Sequence, residues 1–234
     1  MEYNFIRVEK QDFRFILTLA RPEKRNAFTP TMVNEIAHAF ELANADDAIK
    51  VVIIKAEGPV FCAGMDLNTF ENETLDTPNP FIPNQDVSLG QVFDSLLKPS
   101  VAIVEGNVIA GGFLIILGCS YVYCKKETQF KLPEVALGLF PFQVMASLLK
   151  VMPEKKVLQL CLHTEYFDVE KAIALGIVDG FIEDNIIESL LATFENRSNK
   201  ALMAGIQALR HIPTKQREEQ FAYLKNCLDN LNKH

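Results

Sequence analysis

The sequence has no tryptophan and only four histidines, and its five cysteines (Cys62, Cys119, Cys124, Cys161 and Cys227) are scattered and odd in number. No CxxC pair and no HxxxH spacing occurs, so neither a disulfide framework nor a zinc site is indicated, and no metal is expected. An excess of positive charge is missing too. With 23 Lys and Arg against 30 Asp and Glu, the net charge is −7 at pH 7, which leaves no broad cationic surface for nucleic acid or an acidic membrane. A local basic cluster can still hold a phosphorylated small molecule. GxGxxG, the P-loop and GxSxG are all absent, so dinucleotide, nucleoside triphosphate and serine hydrolase chemistry have no support. The first ten residues, MEYNFIRVEK, become charged almost at once and lack the apolar run of a secretory leader, so a reducing, cytoplasmic setting is expected. Residues 106–124 carry no charge over a length that could span a bilayer. Gly111-Gly112 interrupts that run and Asn107 and Ser120 punctuate it, so it reads as buried core.

What is present is ordinary globular material: 234 residues, 49% hydrophobic and 23% charged, enough for one large domain or a domain with a small appendage. Residues 3–9 and 13–19 are β-rich around Lys10-Gln11-Asp12 and predict a hairpin. Thr29-Pro30 offers an N-cap with proline at the first helical position, and the apolar spacing predicts a helix to about Asn44. VVIIKA (51–56) is a short, β-branched, nearly continuous apolar run, as expected of a strand buried on both faces. The pattern recurs as a helix over 87–98, a strand over 101–105, a glycine-rich turn, a helix over 113–119 and a strand over 121–124. Residues 71–86 hold Pro78, Pro80 and Pro83 with little apolar content and read as a mobile loop. From Pro141 onward helical periodicity dominates. The fold class is therefore α/β.

Two glycine-centred turns each follow a buried strand and precede a helix: FCAGMDL (61–67) and GNVIAGG (106–112). Such turns expose backbone N–H groups where developing negative charge is stabilised, and two converging turns would make an oxyanion hole. By motif alone, both also read as ordinary strand-to-helix turns.

Five blocks in order, RPEKRNAFTPTM (21–32), FCAGMDL, VEGNVIAGG (104–112), FKLPEVALGLFP (130–141) and DVEKAIALGIVD (168–179), together resemble the crotonase, or enoyl-CoA hydratase/isomerase, superfamily over roughly residues 5–185. The resemblance implies a crotonase spiral of ββα units over 1–185 and a shortened helical C-terminal region over 186–234 within the same unit. It also implies assembly as a homotrimer or dimer of trimers, and an acyl-CoA thioester as substrate with no further cofactor. It places the oxyanion-hole donors at the backbone N–H of Met65 and Gly111. Ala63 falls at the adenine pocket, with Gly64, Asp66, Gly112 and Phe140 among the binding residues. Asp66 has a second reading as a carboxylate capping a helix start. Arg21, Lys24 and Arg25 fall in the segment used near the CoA phosphates, although a solvated charged turn explains any one of them equally well.

Glu134 matches one of the family's two catalytic glutamates and stands alone among apolar residues, a setting that raises a carboxyl pKa toward neutrality. The second glutamate of the hydratases falls at Leu114. A leucine cannot hold or deliver a proton, which puts hydration by the usual two-carboxylate route in doubt and fits the single-glutamate pattern of Δ3-Δ2 enoyl-CoA isomerases. A hydratase with Glu105 or Gln143 holding the water, a decarboxylase of the same fold, and a catalytically idle CoA-binding protein are the alternatives. Phe61, Phe113, Phe140 and Phe142 are candidates for an acyl tunnel, and His38 and His163 read as surface residues. The segments 71–86 and 87–98 are expected to shape the acyl pocket.

Overall fold

The computed structural model describes residues 2–232. The chain opens with a hairpin of β1 (Ile6–Gln11) and β2 (Arg14–Leu19), antiparallel from Ile6 opposite Leu19 to Gln11 opposite Arg14. Its turn falls at Asp12-Phe13, slightly later than predicted, because Asp12 takes the positive φ (51°) that a tight hairpin turn demands. Helix α1 (Pro30–Ala45) starts as its sequence announces: the Thr29 hydroxyl accepts from Met32 N at 3.2 Å, with Pro30 in the first turn.

Three times thereafter, a longer strand is followed by a very short one. β3 (Val51–Ala56) leads to β4 (Val60–Cys62), then α2 (Leu67–Glu71) and α3 (Leu89–Ser95), the last begun by a reciprocal capping box between Ser88 and Gln91. β5 (Ser100–Val104) leads to β6 (Asn107–Ile109), a 3-10 turn at Ala110–Gly112 and α4 (Phe113–Gly118). β7 (Tyr121–Cys124) leads to β8 (Phe130–Lys131), a 3-10 turn at Glu134–Leu137 and α5 (Phe142–Leu148). The chain continues through α6 (Glu154–Cys161), α7 (Val169–Ala174), β9 (Gly180–Phe181) and α8 (Asp184–Glu195), and ends with α9 (Asn199–His211) and α10 (Arg217–Asn232).

The longer strands form a six-stranded sheet in the order β1-β2-β3-β5-β7-β9, parallel after the first pair, and the short ones form a separate three-stranded parallel sheet β4-β6-β8. This is the predicted spiral of ββα units. Sequence patterning gave the first strand of each unit and missed the second, since strands of two or three residues have no period to read.

The continuous apolar run of β3 is explained by burial on both faces. Val52 and Ile54 enter the main core with Met32, Ile36 and Phe40 of α1. Val51 and Ile53 face the opposite way, with Val101 of β5, onto Ile187, Leu191 and Phe194 of α8. The uncharged segment 106–124 is divided among β6, the 3-10 turn, α4 and β7, and among the described residues no helix is long and apolar enough to cross a membrane. At the C-terminal end, the Arg210 guanidinium of α9 donates to the carbonyls of Phe93, Asp94 and Leu96, tying that helix to the end of α3. Residues 233 and 234 of the predicted C-terminal region lie outside the described residues.

Phe113 opens α4 directly after Gly112 and is fully buried, 6.1 Å from the Phe130 ring and 6.3 Å from that of Phe167. Truncation to alanine leaves a cavity beside Phe130 and Phe167, and Phe113→Ala is expected to cost about 3–5 kcal/mol in urea unfolding. A loss below about 1 kcal/mol would mean that this ring does not anchor α4 to the core.

Candidate active site

The small sheet decides which of the predicted site residues come together. Its strands are parallel, with Cys62 opposite Val108 and Ile109 opposite Lys131, so all three run out at the same end. Beyond β4 come Ala63, Gly64 and Met65; beyond β6 come Ala110, Gly111 and Gly112; beyond β8 comes Glu134. Three segments far apart in sequence thus leave one sheet edge together, at the carboxyl ends of parallel strands, where open α/β sheets place their ligands.

The first two segments touch. Gly64 has φ of +89°, and a Cβ built on it would lie 2.8 Å from Ala110 Cβ and 2.9 Å from Gly111 N. Only glycine fits there. A Cβ on Gly111 would lie 2.8 Å from the Phe28 ring, and one on Gly112 would lie 2.7 Å from the Cys62 carbonyl. Ala110 itself takes a positive φ of 52°, strain that a close approach of two backbones can impose. Met65 forms a parallel bridge with Phe28, in which Phe28 N donates to Gly64 O at 2.8 Å and Asp66 N donates to Phe28 O at 2.9 Å. Both bonds come from Met65's neighbours, so its own N–H points away from Phe28. The two predicted donors, Met65 N and Gly111 N, therefore stand on adjoining turns.

Asp66 does not face a ligand. Its Oδ1 accepts from Asn68 N at 3.2 Å, capping α2, and its Oδ2 accepts from Arg21 Nη1 at 2.7 Å in a buried ion pair. Burial pushes this carboxyl up, but the Arg21 hydrogen bond and charge, with the bonds from Asn68, outweigh it and hold its pKa below the usual aspartate value. Of the two readings of Asp66, the structure displays the capping one, and Arg21 leaves the basic cluster, since it also donates to Ala27 O and faces inward. Lys24 and Arg25 remain exposed, with Arg25 O accepting from Ala63 N at 3.0 Å. That contact sets the Arg25 backbone beside half-buried Ala63, and among the described residues neither Lys24 nor Arg25 forms an ion pair.

Glu134 is half-buried, and its Oε2 is buried and takes no hydrogen bond from the described residues. Desolvation raises its pKa above the ordinary glutamate value, and a hydrogen bond from its own backbone N–H recovers only part of the shift. Leu114 is 3% exposed and belongs to the main core, so no carboxylate stands at that position. Glu105 is exposed and paired with Lys125 at 2.7 Å, and Asn107 Oδ1 accepts from Gln129 N; both are structural. Phe61 and Phe113 are fully buried core rings rather than tunnel walls. Phe140 packs on Phe142 at 5.3 Å and against the core; like Glu134 and Gly111, it is not among the residues lining the cavity beside Met65. His38 is half-buried and bonded through Nδ1 to the Tyr3 hydroxyl at 2.9 Å. Burial raises the Cys62, Cys119 and Cys124 thiols to about 12, far from a nucleophile's range. Among the described residues, no cluster of three His, Cys, Asp or Glu is placed to hold a metal ion.

A cavity of about 790 Å³ opens beside Met65 and runs between α1, the segment Glu73–Ser88 and Gln143. Its size suits an organic ligand. The segment read as a mobile loop is one of its walls, as expected for shaping a pocket, but it is tied down rather than loose: Asp76 accepts from Thr31, and Asn79 is buried against Glu35. Sequence reasoning missed Phe28, Thr69 and the buried polar face of α1. The one available signal was three polar residues, Thr31, Asn34 and Glu35, at helical spacing.

A family model described as enoyl-CoA hydratase/isomerase matches residues 14–233. The 2,3-dehydroadipyl-CoA hydratase of Escherichia coli is 32% identical over 213 residues, covering 87% of this chain and 80% of that protein. The hydroxycinnamoyl-CoA hydratase-lyase of Pseudomonas fluorescens is 28% identical over 179 residues, and the match spans 65% of that relative's length. Among solved structures, an enoyl-CoA hydratase of Mycobacterium smegmatis superposes with a TM-score of 0.84 at 21% identity, over 98% of this chain and 92% of that one. At that identity the likeness is one of fold.

The buried Arg21–Asp66 pair holds the turn that carries Met65. Asp66→Asn leaves the guanidinium buried without its counter-charge and is expected to cost about 3–5 kcal/mol at neutral pH. Because the folded pKa is depressed, the pair's stabilisation is complete above the ordinary aspartate value and is lost as pH falls through the lower folded one. Urea titrations from neutral to acid should therefore show a steeper loss in the wild type than in Asp66→Asn; parallel curves would remove the pair from this role.

Proposed function

The chain belongs to the enoyl-CoA hydratase/isomerase family, and from that premise we propose that it moves the double bond of a 3-enoyl-CoA into conjugation with the thioester, with Glu134 as sole proton shuttle. The observation that carries this reading is one desolvated carboxylate at the shared sheet edge, with a buried leucine where a second would stand. The Glu134 carboxylate takes a proton from C2, and the electron pair delocalises through the C3–C4 double bond and onto the thioester oxygen. The backbone N–H groups of Met65 and Gly111 bind that oxygen as it becomes negative, and preorganised donors of this kind act most strongly where water is excluded. The protonated Glu134 then returns the proton to C4, leaving the double bond between C2 and C3. No atom is gained or lost.

The raised pKa suits both halves of the cycle. A carboxyl at the ordinary value is a poor base toward a carbon acid, and one raised toward neutrality abstracts and returns the proton with less imbalance. Lys24 and Arg25 are the groups we assign to the CoA phosphates, beside Ala63 and Gly64, with Gly112 permitting the close approach of the turns. The trimeric assembly implied by the resemblance would cover exposed apolar residues such as Phe142, Leu149 and Leu158, and α10, which buries none of its residues against this chain. A second reading, hydration, is favoured by the relatives' names and by Gln143, an exposed amide on the cavity wall able to hold a water.

The test is the rise in ultraviolet absorbance of a conjugated thioester when the protein meets a 3-enoyl-CoA, with mass analysis of the product. Isomerisation of the 3-enoyl-CoA leaves the mass unchanged; a 2-enoyl-CoA offered in parallel that gains one water, with the 3-enoyl-CoA untouched, transfers the assignment to hydration. Glu134→Gln is expected to lower kcat by about 10²- to 10⁴-fold. Only the carboxylate form is a base, so wild-type kcat/KM should fall toward acid with a midpoint above the ordinary glutamate value. Undiminished turnover in Glu134→Gln would sink the mechanism, and tight binding of CoA esters with no turnover of either the 3-enoyl- or the 2-enoyl-CoA would point to a non-catalytic protein.

A further inference from the structure

Half of the residues lining the cavity beside Met65 come from one stretch, Glu73–Ser88, whose regular structure is confined to a 3-10 turn at Glu73–Leu75. This strap is held by side chains from a single face of α1. Thr31, Asn34 and Glu35, spaced i, i+3 and i+4, are all buried, and none of them lines the cavity. Asp76 Oδ2 accepts from both Thr31 N and Thr31 Oγ1 at 2.8 Å, and Asn84 Nδ2 donates to Thr31 Oγ1 at 3.1 Å. Asn34 exchanges two bonds with the Gln85 backbone, accepting from its N–H at 3.0 Å and donating to its carbonyl at 3.1 Å. Glu35, fully buried, accepts from Asn79 Nδ2 at 2.8 Å and also from the backbone N–H groups of Asn4 and Phe5 at 2.6 and 2.9 Å.

The same helix supplies Pro30 and Val33 to the cavity lining, and Thr29 at its cap. One rigid element thus carries part of the inner wall and dictates where the outer wall stands. Glu35 is the most constrained point of the arrangement, because its carboxylate is satisfied by donors from both the strap and the N-terminal stretch, which are themselves joined by Asn4 Nδ2 donating to Thr77 O at 3.0 Å and Asn79 Nδ2 donating to Glu2 O at 3.1 Å, and a buried acceptor that loses its donors is costly.

We propose that Thr31, Asn34 and Glu35 are positioning residues that fix the strap against α1 and so decide which acyl groups the cavity admits. The proposal rests on reading this cavity as the acyl site. Glu35→Gln puts an NH₂ donor where an acceptor-only oxygen faced other donors, so at least one contact is lost. Asn79→Ala removes the strap's bond to Glu35, together with the bond from Asn79 Nδ2 to Glu2 O and the one that Asn79 Oδ1 accepts from Phe81 N, and leaves Glu35 with the Asn4 and Phe5 N–H groups.

The experiment measures amide hydrogen exchange across residues 76–86 together with kcat and KM for 3-hexenoyl-CoA and 3-decenoyl-CoA. In Asn79→Ala, strap exchange is expected to rise by about tenfold or more while the sheet strands keep their protection. The ratio of KM values for the two substrates should shift by about tenfold with kcat within about twofold, as befits a change in binding rather than in chemistry. Glu35→Gln should move both readouts in the same direction. Asn199→Ala serves as the control for general destabilisation, since Asn199 is buried and bonded to Asp47 O, away from the strap, and should leave the ratio unchanged. Unaltered strap exchange overturns the proposal, and so does faster exchange with an unaltered ratio. If the wild type turns over neither substrate, the isomerase reading fails separately. The relative affinities for butanoyl-CoA and decanoyl-CoA in wild type and Asn79→Ala then decide: a shifted preference supports the positioning role, and an identical one overturns it.

Discussion

The parallel alignment of three very short strands is the constraint on which the rest of the molecule depends. β4, β6 and β8 contribute few hydrogen bonds, yet a parallel pair has to be joined by a crossover, and each crossover here runs through a strand of the large sheet. The path from β4 to β6 carries α2, the strap, α3 and β5; the path from β6 to β8 carries α4 and β7. The cavity lining from Met65 to Leu89 therefore lies on the first of these connections, which exists because the strands are parallel. The same alignment brings Met65, Gly111 and Glu134 out at one edge, and the glycine at position 64 lets the first two turns close on each other.

Two carboxylates within this framework are driven in opposite directions by their surroundings. Asp66 has a guanidinium 2.7 Å away and stays ionised as a structural cap. Among the described residues Glu134 has no ion-pair partner and one oxygen is buried without a hydrogen bond, and desolvation pushes it toward its protonated form. Environment, rather than residue type, separates the group that holds a turn from the group that can move a proton.

The polar face of α1 solves a different problem. A stretch rich in proline and asparagine has too little apolar surface to pack by itself, and a chain of this composition would ordinarily stay loose. Buried side-chain acceptors and donors at Thr31, Asn34 and Glu35 supply it with an anchor, so that polar chain becomes a wall of defined position. On the far side of the large sheet, α8 performs the apolar equivalent by covering Val51, Ile53 and Val101.

Much of this was legible in order along the chain. The cap at Thr29, the doubly buried VVIIKA strand, the two glycine turns and the isolated Glu134 all announced themselves, because caps, periodicity and lone charges are local properties of a sequence. The two- and three-residue strands, the Arg21–Asp66 pairing and the inward turn of Phe61 and Phe113 did not, since each depends on a partner distant in sequence. Sequence by itself determined which residues could donate, accept or carry a proton, and that position 114 could do none of these. Tertiary structure alone decided which of them meet, because the register of one small parallel sheet and the reach of buried polar side chains from a single helix are set by packing in three dimensions.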